Sequence, residues 1–152
     1  MTLVHREGDL FSAQDAEALA HGCNCAGAMG RGIAVEFKNR WPDMYATYRR
    51  KCQDGEFPVG ACFPWKTPQG LVIYNLGTQR HWRAPARLPD VVNAVEAMCT
   101  HAVSHGISRI AMPRIASGLG RLTWAEVEKA ITPAVESKEL TVIVYRFQSD
   151  ET

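Results

Sequence analysis

A chain of 152 residues with 46% hydrophobic and 22% charged residues has the size and composition of one soluble globular domain. At this length roughly 68–70% of the unfolded surface is buried on folding, so a core forms without a disulfide or metal staple. The formal net charge of +1 excludes binding to nucleic acid through bulk charge, and the odd count of five cysteines, with Cys23 and Cys25 one residue apart, excludes a disulfide framework.

No apolar stretch reaches the ~20 residues of a membrane span, and Met1 to His5 lacks the blocks of a signal peptide. Reduced thiols, a cytoplasmic setting and a monomer are expected.

Leu3 to Glu7 alternates and reads as a short strand ended by Gly8-Asp9. Asp15 to Leu19 reads as a helical turn before a strand over Leu19 to Cys23. Gly32 to Trp41 carries Ile33, Ala34, Phe37 and Trp41 at helical spacing. Pro42 opens a second helix that ends near Gly55. A hairpin follows: Val59 to Trp65, a Pro68-Gln69-Gly70 turn, then Leu71 to Leu76. Residues 77–88 read as a polar, basic loop. Pro89 opens a helix with Val92, Val95, Ala97, Cys99 and Val103 on its apolar side, closed by Gly106. Arg109 to Pro113 reads as a central strand. Thr123-Trp124-Ala125-Glu126 fits a capping box opening the last helix, which Pro133 is expected to kink or divide. Leu140 to Phe147 reads as the last strand, and residues 148–152 as a frayed tail. Strands alternating with helices imply an α/β fold, three-layer α/β/α with a central mixed sheet, the hairpin and the N-terminal strand making it mixed.

Two glycine-rich loops each follow an apolar run. The first is Asn24 to Ala34, with Gly27, Gly30 and Gly32. The second is Arg114 to Leu122, with Ser117, Gly118, Leu119, Gly120 and Arg121. Glycine admits close backbone approach, and successive backbone N–H groups form anion sites. Two such loops suit the two phosphates of a diphosphate. The spacing fits neither the Gly-x-Gly-x-x-Gly dinucleotide fingerprint nor the Gly-Lys-Ser/Thr phosphate loop. Cys23 and Cys25 read as buried structural thiols. His101 and His105 share a helix face at i, i+4, which reads as dipole stabilisation of a helix end, with no metal site expected. Ser117 reads as a phosphate contact. Arg80, Trp82 and Arg83 form a basic, aromatic loop suited to a phosphate backbone and a stacked base of single-stranded DNA.

Gly8-Asp9-Leu10-Phe11, Asn24 to Ala34 with Glu36-Phe37-Lys38, Tyr74-Asn75-Leu76-Gly77-Thr78, and Met112-Pro113-Arg114-Ile115 with Ser117-Gly118-Leu119 together resemble the macrodomain family. The resemblance runs from Leu3 to Phe147. It is nearest the ADP-ribosyl glycohydrolase branch, similar to the bacterial DNA ADP-ribosyl glycohydrolase antitoxins and the terminal ADP-ribose protein glycohydrolase. Thr78 with Arg80-His81-Trp82-Arg83 is similar to the antitoxin pattern in particular. The resemblance implies ADP-ribose binding in a cleft at the strand ends, hydrolysis of ADP-ribose from DNA or protein carboxylates, and no cofactor. It places the adenine amino group on Asp9 beside Leu10 and the diphosphate on Ile115 and Ser117 to Arg121. The distal ribose falls on Asn24, Gly30, Gly32, Ile33 and Thr78, and Tyr145 or Phe147 stacks on adenine. In the hydrolases of this branch a lysine follows the threonine, where this chain has Gln79. The terminal ADP-ribose glycohydrolase has an aspartate at the position of Gly120. Asn24 and Gln79 are therefore the candidates to orient a catalytic water; the alternative is a non-catalytic ADP-ribose reader.

Overall fold

The apolar runs become the strands of one six-stranded sheet in a computed structural model that describes residues 2–146. In chain order these are β1 (Thr2–Glu7), β2 (Ala18–Asn24), β3 (Cys62–Lys66), β4 (Val72–Gln79), β5 (Arg109–Pro113) and β6 (Thr141–Arg146). The helices are α1 (Ala34–Arg40), α2 (Pro42–Gln53), α3 (Leu88–Ser104) and α4 (Trp124–Glu136). The strand order is β1-β6-β5-β2-β4-β3. All neighbours pair in parallel except β3, which runs antiparallel to β4. The sheet is mixed because of the hairpin alone: β1, expected to contribute, pairs in parallel with β6.

Successive residues of the central strands feed opposite faces, as the strand period of two requires. Leu19, Ile73, Ala111 and Ile143 pack with Phe37 of α1 and Met44 and Tyr48 of α2. Ala20, Tyr74, Ile110 and Val142 pack with Val95 and Met98 of α3 and Val127 and Ile131 of α4. Both faces are covered, which is why these strands read as near-continuous apolar runs. From β2 the chain moves through α1 and α2 to β3 and β4, then returns through α3 to β5 on the other side of β2. Such a reversal opens a crevice at the carboxyl ends of the strands.

Several boundaries differ from the sequence reading. Asp15 to Leu19 forms no helical turn; the helical turn in this region is a 3-10 turn at Leu10–Ser12, capped by Asp9. The following segment bends into β2 instead, because the Asp15 carboxylate pairs with Arg6 and Arg109 and Glu17 accepts from the Ser108 backbone N–H. β4 continues through Gln79, taking Gly77 to Gln79 out of the expected loop. On α3 the buried face is Val91, Ala94, Val95, Met98, Cys99 and Ala102, whereas Ala97 and Val103 face solvent. α4 runs unbroken through Pro133. Pro133 is exposed and in the last turn, so the one carbonyl it deprives of a partner can be satisfied by water. Among the described residues no helix is long and apolar enough to cross a membrane. Phe147 and the tail over 148–152 lie outside the described residues.

Candidate functional site

A cleft of about 950 Å³ lies at the carboxyl ends of β2, β4 and β5, and both glycine loops line it. Its floor is shaped by a close approach. β2 and β4 slip register between Cys23 and Asn24, leaving Thr78 as the extra residue of a bulge. A Cβ at Gly22 would sit 2.9 Å from Thr78 Oγ1, so the glycine makes room for the Thr78 side chain here.

The distal loop is organised by Asn24. Its Oδ1 accepts from the backbone N–H groups of Ala26 and Ala28, at 3.0 and 3.3 Å. Its Nδ2 donates one hydrogen to Ala28 O at 2.8 Å. The side chain thereby closes the loop on itself, with one Nδ2 hydrogen left over, while the Tyr48 hydroxyl ties the loop to α2 by donating to Asn24 O at 2.6 Å. Gly30, Gly32, Ile33, Thr78 and Gln79 all line the same cleft.

The opposite loop, Arg114 to Leu122, is tightly wound. Ala116 and Arg121 have φ of 63° and 66°, a left-handed conformation that costs about 1–2 kcal/mol for each residue bearing a Cβ. Such strain persists only where surrounding contacts enforce it. Leu122 N–H bonds Ala116 O, Arg121 N–H bonds Gly118 O, and Ala86 N–H bonds Gly120 O. A Cβ at Gly120 would lie 2.4 Å from Ala116 O and 2.8 Å from its C and Cα. The loop as wound therefore has no room for an aspartate there. Ile115, Ser117, Gly118, Leu119 and Gly120 line the cleft, with the Ser117 hydroxyl donating to Arg114 O.

Gln79, the last residue of β4, sits between the segment over 80–87 and the loop Arg114 to Leu122. Its Nε2 donates to Ala84 O at 2.7 Å and to Leu119 O at 3.1 Å. Its Oε1 makes no hydrogen bond among the described residues.

Other site candidates stand apart. Asp9 caps the Leu10 turn, accepting from Phe11 N–H at 3.0 Å and the Ser12 hydroxyl at 3.2 Å, while Leu10 is fully buried. Tyr145 is only 4% exposed, accepts a hydrogen bond from Arg6, and does not line the cleft; Phe147 lies outside the described residues. Arg121 turns away to donate to Arg83 O at 3.1 Å. Trp82 lines the cleft rim, 42% exposed, its ring tilted by 31° against that of His81 at 3.6 Å. Arg80 and Arg83 are exposed beside it. Sequence reasoning missed Arg31, Arg114, Ala116 and Trp124 as lining residues. Arg114 Nε and Trp124 Nε1 are buried donors without partners. Arg31, Arg114 and Ala116 lie inside the two loops already singled out, but nothing in their spacing marked them as wall residues.

The walls hold no carboxylate, lysine or histidine among the described residues, and arginine supplies their charge. Burial pushes the Cys25 thiol up to about 12, and the Cys23 thiol also well up, so both stay protonated at neutral pH. All five cysteines are unpaired. A second hollow of about 700 Å³ lies at the opposite ends of the strands, beside Glu17, Trp65, His101 and His105. There the His101 and His105 rings stack at 3.8 Å, with each Nδ1 engaged: His105 on His101 O, His101 on the Tyr74 hydroxyl. No cluster of three or more metal-ligating side chains occurs among the described residues.

A doubly covered sheet with two glycine-rich loops lining one arginine-bearing cleft at its carboxyl strand ends defines an α/β domain of the doubly wound kind. The chain belongs to the macro domain family, which it matches over residues 20–131. It is 33% identical over 147 residues to a DNA ADP-ribosyl glycohydrolase of Mycobacterium tuberculosis, covering 94% of this chain but 42% of that protein. It is 29% identical over 143 residues to the human ADP-ribose glycohydrolase OARD1, covering 94% of this chain and 90% of that one. The solved macrodomain of Mycobacterium tuberculosis DarG superposes with a TM-score of 0.88 at 33% identity, over 95% of this chain and 97% of that one.

Proposed function

We propose that this chain binds ADP-ribose in the cleft and hydrolyses the bond joining its distal ribose to DNA or to a protein carboxylate. The observation that carries the reading is the pair of facing loops, whose backbone donors and arginines suit a diphosphate and whose walls hold no opposing carboxylate. Relatives named as glycohydrolases support the hydrolytic half. The diphosphate lies on Ile115 to Gly120, the distal ribose on Asn24, Gly30, Gly32, Ile33 and Thr78, and the adenine toward Asp9. With Tyr145 buried, adenine stacking on it requires that ring to shift.

No side chain on the walls is an unprotonated nucleophile, so water is the attacking group. Water oxygen bonds to the anomeric carbon as the bond to the macromolecule breaks through an oxocarbenium-like state. The substrate's own diphosphate stabilises that cation through its charge, while the leaving oxygen or nitrogen keeps the bonding electrons and takes up the proton that water loses. The free Nδ2 hydrogen of Asn24 and Oε1 of Gln79 orient the water. Arg80, Arg83 and Trp82 at the rim suit the flanking phosphates and a neighbouring base of single-stranded DNA. The unpaired thiols agree with a cytoplasmic setting, and the chain is read as a monomer.

The bare walls also favour a second reading, a reader that binds ADP-ribose and releases nothing. Calorimetric titration with free ADP-ribose tests binding, and a time course on ADP-ribosylated single-stranded DNA and on an ADP-ribosylated glutamate peptide tests turnover. Binding with release supports hydrolysis, binding without release supports the reader, and no binding refutes both.

A further inference from the structure

We infer that Gln79 is a positioning residue that locks the phosphate loop into its binding conformation before ligand arrives. For its ligand arm the inference rests on the ADP-ribose reading above. The bulge at Thr78 sets where the last residue of β4 falls. Both Nε2 hydrogens are then committed, one to the segment that follows β4, at Ala84 O (2.7 Å), and one to the phosphate loop, at Leu119 O (3.1 Å). The Gln79 side chain is 7% exposed, so water competes poorly for these bonds.

Two further links cross the same gap, Ala86 N–H to Gly120 O at 2.9 Å and Arg121 Nη2 to Arg83 O at 3.1 Å. The loop they hold is the strained one, with left-handed Ala116 and Arg121 and with Gly120 seated on the Ala116 backbone. Left alone, that segment relaxes toward ordinary backbone angles and loses the winding seen here. The buried amide at position 79 is the side-chain link in this strap that sits at the loop's centre, on Leu119 O, rather than at its end. A group that donates two hydrogens is what the position requires, because both of its partners are carbonyl oxygens. A carboxylate of the same shape meets two acceptors and donates to neither.

The chemistry separates three variants. Gln79→Glu and Gln79→Met keep the volume and lose donation; Gln79→Lys keeps donation through an ammonium with three hydrogens. Amide hydrogen exchange on the unliganded protein tests the strap without any ligand. Residues 116–122 are expected to exchange about tenfold faster in Gln79→Met and Gln79→Glu, a loss on the scale of one buried hydrogen bond, with Gln79→Lys close to the unaltered chain. Calorimetry then reads function: ADP-ribose and ADP are expected to bind about tenfold more weakly to Gln79→Met, with adenosine, which carries no phosphate, unaffected. A loss shared equally by adenosine, or no change in exchange over 116–122, overturns the inference. Faster exchange in Gln79→Met, in a protein whose unaltered form binds no ADP-ribose, upholds the strap and refutes the ADP-ribose reading instead.

Discussion

Gly120→Ala adds one methyl group, and the structure sets its cost. The new Cβ falls 2.4 Å from Ala116 O and 2.8 Å from Ala116 C and Cα, where 3.4–4 Å is ordinary contact. All three neighbours are backbone, so no side chain can swing aside, and the loop must open by about 1 Å. Overpacking of this kind costs about 1–3 kcal/mol. Ala116 O also accepts from Leu122 N–H at 3.1 Å, a bond the shift weakens at a further cost of about 1 kcal/mol. A total of about 2–4 kcal/mol lowers Tm by roughly 5–12 °C in a domain of this size. The binding cost falls on the same loop, so ADP-ribose affinity drops at least about tenfold. Gly118→Ala is the control for stability: a Cβ there meets nothing within 4 Å, and its Tm should hold. Thermal unfolding of the two variants, with calorimetric titration of Gly120→Ala, decides the matter. Gly120→Ala with native Tm and affinity would refute the geometry, and so would equal losses of Tm in both variants. By the same argument Gly120→Asp weakens binding and does not install a working carboxylate.

Other outcomes follow from the same structure. His21 is buried, stacked on Phe37 at 3.9 Å and bonded to Asn75 Oδ1 at 2.7 Å. Burial lowers its pKa from 6.5 to about 4. The unfolded chain therefore takes up the proton first on acidification. Stability is complete above pH 6.5 and falls by about 3 kcal/mol as pH drops to 4. Denaturant titrations across that window should show the slope in the unaltered chain and a flatter one in His21→Gln. Asp15, held near 2 by Arg6 and Arg109, adds its own loss only below about pH 4. Trp82→Ala should leave Tm and free ADP-ribose affinity unchanged while weakening a modified oligonucleotide by about 1–3 kcal/mol, read by fluorescence anisotropy at two salt concentrations. Turnover at pH 7 should survive thiol alkylation under native conditions, because Cys23 and Cys25 stay protonated; rapid inactivation would put a thiol in the chemistry.

The elements legible in the sequence were those whose cause is local. Pro42 starts α2, Thr123 and Glu126 close a reciprocal capping box on α4, and the apolar runs become strands buried on both faces. Asp15 to Leu19 misled because its conformation is set by Arg109 and Ser108, more than 90 positions away. The apolar face of α3 slipped because Ala97 and Val103 are apolar yet face solvent, while Val91, Ala94 and Met98 do the packing. Within the site, the glycine loops announced themselves by composition. The work of Gln79 did not, since Ala84 and Leu119 offer only backbone carbonyls, which no side-chain pattern reveals. The left-handed backbone of Ala116 was equally hidden, because alanine carries no signal for positive φ.

The most direct test of the account is the release of ADP-ribose from ADP-ribosylated single-stranded DNA, followed in time with the unaltered chain, Asn24→Ala and Gln79→Met. The account predicts steady release by the unaltered chain and strongly slowed release by both variants. No release from this substrate or from an ADP-ribosylated glutamate peptide, by a chain that still binds free ADP-ribose, would contradict it and leave a reader.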